Sequence, residues 1–350
     1  MTIWENNLIQ RCFDLARLGM GKVSPNPTVG SVISTHNKII GEGYHQKYGE
    51  AHAEVNAVLS MKKKIKKNLS NSTISVSLEP CNFHGNTPAC TDLIIKEDFS
   101  IVNVSTIDST AKVNSKGLEK LKANGKIVNF GIKESKGRFL ARVRNTFVTR
   151  KRPYIILKYA QSKDGYMGQE NNQVWLSNSY TKRLVHKWRS ESSAIIIGTN
   201  TAIVDNPRLT SRLYPGHSPL RVIIDKMGKI SPTARVKNDK VKTWIYTQLQ
   251  SQIDLNHLKY RIIISDSILD QICSDLHEHN HNTLIVEGGA QLLNSFINAG
   301  LWDEARIITT PKILTNGIAA PTVNGHSIGK YEMYTDVINL ILNPKNVIYS

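Results

Sequence analysis

Two short motifs constrain this chain more than any other feature. "AHAEV" carries His52 and Glu54, and "LEPCNFHGNTPAC" carries Cys81 and Cys90 with eight residues between them. Each motif stands where one element gives way to another. His52 opens the helix read from "AHAEVNAVLSMKKK", Cys81 follows the strand read from "TISVSLEP", and Cys90 opens the helix read from "ACTDLIIKED". At mid-helix His52 and Glu54 would diverge, but in a first turn both can reach over the helix end. The chain must therefore bring two helix starts together beside one strand end. His52, Cys81 and Cys90 then form three borderline-to-soft ligands with one coordination position left for water, the signature of a catalytic zinc site.

Zinc lowers the pKa of such a water to about 7. Glu54 is read as the proton carrier rather than a ligand. The order His-x-Glu, then Pro-Cys, is that of zinc nucleobase deaminases, whose cysteines are two residues apart. Here the gap is wider. The competing reading is two buried thiols with a surface His and Glu. Both motifs, in this order and at matching element starts, favour the metal.

The 350 residues exceed one ordinary core and suit two domains, with the boundary placed in the basic stretch 136–153: 1–150 and 151–350. That stretch shows no clear strand. Hydrophobic residues make up 40% and charged residues 21%, which excludes a disordered chain. No apolar run approaches a membrane span, and no signal-peptide core is seen, so a soluble cytoplasmic protein with no membrane partner is expected. The net charge of +17 invites nucleic acid, but the densest run, "KKKIKK" at 62–67, reads as a solvated helix end. A phosphorylated metabolite is the partner expected instead. Along both halves short apolar strands alternate with helices, an α/β pattern: "TVGSVIS" and "KIIGEGY" as a hairpin, and later "YIILKYA", "AIIIG", "LRVIID", "TWIYT", "RIIIS", "TLIVEGG" and "ARIITTP" as strands.

"SPNPTVGSVI", "GEGYHQKYGEAHAEV" and "LEPCNFHGNTPAC" resemble the deaminase half of bifunctional riboflavin-biosynthesis enzymes, in which the wide cysteine spacing recurs. The resemblance implies an N-terminal cytidine-deaminase-like three-layer domain. It implies hydrolytic removal of the 2-amino group of 2,5-diamino-6-ribosylamino-4(3H)-pyrimidinone 5′-phosphate. By match, His52, Cys81 and Cys90 hold Zn2+, Glu54 shuttles the proton, and Asn26 with Val29 and Gly30 lies against the pyrimidine. Phe83 replaces a His usual two residues after the first Cys; His84 follows it, and Asn86 and Ala89 are further departures.

"KYAQSKDG", "GTNTAIVDNPRLTSR" and "VEGGAQLLNSF" look like the reductase half of the same family, with a dihydrofolate-reductase-like α/β fold. The implied reaction reduces the ribosyl group to ribityl with NADPH. By match, Ala160, Trp175, Thr201, Asp205 and Gly289, Ala290, Gln291, Leu292, Leu293, Asn294 and Ser295 contact NADPH. Gln173, Arg189, Leu209, Arg212 and Glu287 hold the substrate, with Arg suited to its phosphate. Lys163, Gln173 and Lys226 depart from the usual residues, which leaves open an active deaminase with an inactive reductase half. Two rival functions also stay open: a nucleic-acid-editing deaminase with an accessory domain, and a non-enzymatic scaffold with structural zinc. The family implies a homo-oligomer, dimer or tetramer.

The histidines of "LHEHNHN" (His277, His279, His281) read as a solvated connection rather than a metal site. Cys12 and Cys273 read as packing residues.

Overall fold

The computed structural model describes residues 2–61, 69–85, 88–110, 113–170, 174–250 and 253–346. The chain divides into two compact units after Lys151. The 62–67 lysine run, Asn86 and Gln173 lie outside the described residues.

Unit 1 runs α1 (Ile3–Arg17), β1 (Gly30–Thr35), β2 (Lys38–Tyr44), α2 (Ala53–Ser60), β3 (Thr73–Val76), α3 (Cys90–Lys96), β4 (Ile101–Val104), α4 (Lys116–Ala123), β5 (Ile127–Phe130) and α5 (Glu134–Arg150). Helix α1 starts at a capping box: the Thr2 hydroxyl accepts from the Glu5 amide and Glu5 answers the Thr2 amide. The expected hairpin forms between β1 and β2, with His36 and Asn37 both at positive φ in the turn. The sheet order is β2-β1-β3-β4-β5, with β3, β4 and β5 parallel.

Period-two alternation loads the two faces differently. Ile33, Ile74, Val76, Val102 and Val104 pack with Ala57 and Val58 of α2, Ile94 of α3 and Leu118 and Leu121 of α4. Val32 faces the other way, against Leu8, Cys12 and Leu15 of α1. Helices thus cover both faces, giving three layers. The approach of α2 is close: a Cβ on Gly43 would lie 2.2 Å from the Ala57 amide nitrogen. A glycine at that position lets α2, and with it His52, sit tight on the sheet.

Helix α5 occupies most of the basic stretch 136–153, in which the sequence shows no clear strand. Its buried side is Gly137, Ala141, Arg142, Asn145, Thr146 and Phe147. Small and polar residues carry the contact, so no apolar stripe marks the helix in the sequence.

Unit 2 runs β6 (Tyr154–Gln161), β7 (Tyr166–Gly168), α6 (Ser179–Ser190), β8 (Ala194–Gly198), α7 (Thr199–Asp205), β9 (Leu220–Ile224), α8 (Arg235–Asn238), β10 (Thr243–Thr247), β11 (Leu258–Ile262), α9 (Ile268–Glu278), β12 (Thr283–Val286), α10 (Ala290–Asn298), β13 (Glu304–Thr309), β14 (Ile318–Ala319), β15 (His326–Met333) and β16 (Asp336–Leu342). Nine strands form one sheet in the order β11-β10-β9-β8-β12-β6-β13-β16-β15, parallel from β11 to β13. The central strands are apolar on both faces, as a sheet covered on both sides requires. Ile155, Leu157, Ile196, Val222, Tyr246 and Val286 share one core with Ile272, Leu276, Leu293 and Phe296 of α9 and α10.

The strand expected at "RIIIS" is shifted. It is Leu258–Ile262, whose register is set by pairing with Thr243–Thr247; Ile264 is 86% exposed. Strand β15 carries no alternating signal in the sequence because it is a sheet edge with mostly exposed side chains.

Both isolated cysteines are packing residues. The Cys12 thiol is buried and donates to the Ser75 carbonyl at 3.2 Å, and Cys273 is buried in the unit 2 core. His279 and His281 meet the Trp244 ring edge-on, with Arg261 stacked on that ring 4.3 Å from its centroid. The connection is exposed at 278–280, as expected, while His281 is part-buried and His279 lays its exposed ring against Trp244.

Candidate active sites

His52 is the residue before α2, in extended backbone, and Glu54 lies in the first helical turn. Cys81 follows the end of β3, and Cys90 is the first residue of α3. The fold brings all four together. His52 Nδ1 lies 3.3 Å from Cys90 Sγ and 3.6 Å from Cys81 Sγ, and the three ligand atoms lie within 4.8 Å of one another. With metal–nitrogen and metal–sulfur bonds near 2.1 and 2.3 Å, a tetrahedral zinc site needs about 3.6 Å between N and S. The donor set and its spacing fit zinc.

The electrostatics agree with a thiolate-bearing site. The Cys81 thiol is held down to about 4 by hydrogen bonds from the Cys90 thiol, from His52 and from the Cys90 backbone N–H, the last at 3.3 Å. Cys90 is pushed up by the same pairing and by burial. His52 is raised by its bond to Cys81. Burial raises the Glu54 carboxyl, which is 3% exposed. A carboxyl raised in this way can both take and return a proton.

Glu79 has a different task. One oxygen accepts from Ser115 at 3.0 Å and Asp108 at 3.3 Å, the other from Gly117 at 2.9 Å. It ties the strand end bearing Cys81 to the start of α4. Asn26 lies on the loop before β1, with its Nδ2 3.2 Å from His45 Nε2. Gly30, the first residue of β1, donates its amide to the Ser77 hydroxyl at 3.1 Å. His84 turns outward to Asp92 at 3.0 Å, and Lys120 bonds the other oxygen of that carboxylate at 2.5 Å.

Unit 2 holds a cleft of about 1170 Å³. It opens where β6, β8, β9 and β12 end, the carboxyl edge at which open parallel sheets bind ligands. Ala160, Trp175, Thr201, Asp205, Gly289, Ala290, Gln291, Leu292 and Ser295 line it, as do Arg189, Leu209, Arg212 and Glu287. Thr201 Oγ1 accepts from the Gly289 amide at 3.0 Å, joining α7 to the glycine turn. Within the stretch 289–295, Leu293 turns its side chain to the inward face of α10, where it is fully buried in the core. Asn294 is exposed and does not line the cleft.

Glu287 is 6% exposed at its side chain and forms two ion pairs. Arg189 grips it with two bonds of 2.8 and 2.7 Å, and Lys158 reaches it at 3.2 Å. Burial alone would raise this carboxyl, but the two cations overcome it and hold it near 2. Lys158 opens the stretch "KYAQSKDG", but the match assigns it no role; it sits on a strand among apolar residues, and only the fold shows its partner. Arg212 lies nearby, bonded to the Thr210 hydroxyl at 3.4 Å rather than to a carboxylate. Burial and the neighbouring Arg189, Arg208 and Arg235 lower its pKa. This is a surplus of positive charge suited to a phosphate. The loop feeding it is strained, with Asn206 and Leu209 at positive φ. Among the substituted positions, Lys226 lines the cleft, and Lys163 is exposed with its amide bonded to the Lys312 carbonyl.

Among the described residues no helix is long and apolar enough to cross a membrane.

The cytidine and deoxycytidylate deaminase zinc-binding region matches residues 2–106, and the RibD C-terminal domain matches residues 153–334. The riboflavin biosynthesis protein RibD of Aquifex aeolicus is 34% identical over 93% of this chain and 92% of its own length. That of Escherichia coli (strain K12) is 32% identical over 87% of each. The crystal structure of a diaminohydroxyphosphoribosylaminopyrimidine deaminase/5-amino-6-(5-phosphoribosylamino)uracil reductase from Thermotoga maritima superposes with a TM-score of 0.89 at 30% identity, covering 97% of this chain and 98% of that one. RibD of Acinetobacter baumannii gives 0.87 at 26% identity over the same shares. With both halves matched in order and nearly end to end, the chain belongs to the RibD family of riboflavin-biosynthesis enzymes, a zinc-binding deaminase followed by an NADPH-dependent reductase.

Proposed function

We propose that unit 1 hydrolyses the 2-amino group of 2,5-diamino-6-ribosylamino-4(3H)-pyrimidinone 5′-phosphate, and that unit 2 then reduces the ribosyl group of the product to ribityl. The observation that carries the reading is the meeting of His52, Cys81 and Cys90 beside a buried Glu54. Bound zinc supplies a Lewis acid that makes water a nucleophile at neutral pH. Glu54 takes the proton of the attacking water and returns it to the leaving nitrogen, so that C2 gains oxygen and ammonia departs. Asn26 supplies a hydrogen-bonding edge for the ring.

In unit 2 NADPH supplies a hydride to the ring-opened sugar carbon. The protein's task is orientation. Residues 289–292 and Ser295, with Thr201, Trp175 and Ala160, line the cofactor side. Arg212 holds the substrate phosphate. The Arg189–Glu287–Lys158 cluster forms a fixed polar wall, because its charges are already paired with one another.

The test is incubation of the purified protein with the diaminopyrimidinone phosphate, with and without NADPH, followed by mass analysis. Exchange of amino for oxygen without NADPH, then gain of two hydrogens with it, is expected. No change with zinc-loaded protein refutes the deaminase assignment. A first step without a second assigns unit 2 an inactive role.

A further inference from the structure

His45 is buried at the deaminase site and belongs to none of the roles above. Its ring meets the ring of His52 edge-on, with centroids 5.3 Å apart. Its backbone amide donates to the Val29 carbonyl at 3.0 Å. Its Nδ1 lies 3.0 Å from the Ala51 carbonyl, and its Nε2 lies 3.2 Å from Asn26 Nδ2. One side chain therefore ties the loop before β1 to the chain entering α2.

These contacts fix a tautomer. A carbonyl oxygen only accepts, so Nδ1 carries the hydrogen in the bond to Ala51. The structure sets Asn26 Nδ2, and not Oδ1, against Nε2, so Nε2 is the acceptor of this pair. Asn26 must meet it with its NH2 group. The amide cannot turn over without placing oxygen against that acceptor nitrogen, so Asn26 Oδ1 is the atom left out of this bond. We infer that His45 is a positioning residue for the deamination: it locks the Asn26 amide with Oδ1 presented to the substrate, which selects a pyrimidine edge bearing an N–H donor over one bearing an acceptor. This rests on the reading of Asn26 as a pyrimidine contact.

The experiment is a double-mutant cycle on the full-length, zinc-loaded protein. Ammonia release from the diaminopyrimidinone phosphate is followed without NADPH, and zinc content is measured for every variant. Asn26→Ala should raise KM about tenfold, the worth of one lost hydrogen bond. His45→Phe keeps a ring against His52 and removes both nitrogens. It should raise KM to a similar extent in the parent and by less than about twofold in the Asn26→Ala background, with kcat little changed. His45→Gln, whose amide oxygen can accept from Asn26, should recover part of the loss.

An unchanged KM in Asn26→Ala removes the pyrimidine contact itself. A normal Asn26 effect with an equal His45→Phe penalty in both backgrounds overturns the positioning role alone. If His45→Phe loses zinc, His45→Leu and His45→Gln carry the same cycle. Loss of zinc in all three also overturns the proposal, because the ring then serves the metal site rather than Asn26.

Discussion

The two sites of this chain handle charge in opposite ways. In unit 1 an acidic carboxyl, Glu54, is buried beside the ligand residues His52 and Cys81, and burial raises it. In unit 2 an equally buried carboxyl, Glu287, is gripped by Arg189 and Lys158 and held near 2. The first group is poised to exchange a proton. The second is locked in one charge state and can only hold its neighbours. On the proposed reading the same side chain serves proton transfer in one unit and architecture in the other, and the presence or absence of cations packed against it decides which.

Substitutions at the two carboxyls put that contrast to its strongest test. Glu54→Gln should retain zinc and lower the deamination rate by about 10²–10⁴-fold, the usual worth of a general acid–base group. Reduction of the deaminated intermediate should be untouched. Full deaminase activity in this variant breaks the contrast. Glu287→Gln should do the reverse. It leaves Arg189 and Lys158 without their counter-charge, at a cost of about 3–5 kcal/mol to unit 2. Denaturant unfolding of the variant should show that loss while ammonia release continues. A fully stable Glu287→Gln would mean that the cluster is a binding group rather than a wall.

Arg212→Ala tests the division of labour among the cations. It removes a charged hydrogen-bond donor, worth about 1.5–3 kcal/mol, so the reductase KM should rise by roughly 10- to 100-fold while the unit stays folded. An effect on stability rather than on KM would place Arg212 with Arg189.

The smallest expected effect is on pH dependence. His281, beside Trp244, is held near 4 by burial and then by His279. In the unfolded chain it takes a proton from about pH 6.5. Between those values the unfolded state binds more protons, so stability falls as pH drops from about 6.5 to 4 and levels off below. The gap corresponds to about 3 kcal/mol, which the partial solvent exposure of the ring reduces to about 2 kcal/mol. His281→Gln should flatten that part of the thermal-unfolding profile; an unchanged slope would exclude His281 as its source.

Much of the deaminase site is legible in the sequence because its ligands lie at element boundaries. A histidine before a helix and a cysteine after a strand can be placed from period and punctuation alone. The same logic finds the hairpin and the glycine turn before α10. It fails at α5, whose buried face is made of small and polar residues, and at β15, which has no buried face to announce it. It also leaves the direction of Leu293 open, because a matched stretch names positions and not directions. Which residues of a helical turn face a ligand and which face the core depends on the sheet beneath.

The sequence by itself determined the candidate ligand set, through residue types and their spacing, and, through its resemblance to a known family, the order of the two halves and the chemistry expected of each. Only the tertiary structure decided how charge is paired. Lys158 and Arg189 reach Glu287 from 129 and 98 residues away, and His45 orients Asn26 across 19. The physical reason is that a pKa and an amide's orientation are set by what packs around them, and in a folded chain those neighbours come from distant strands.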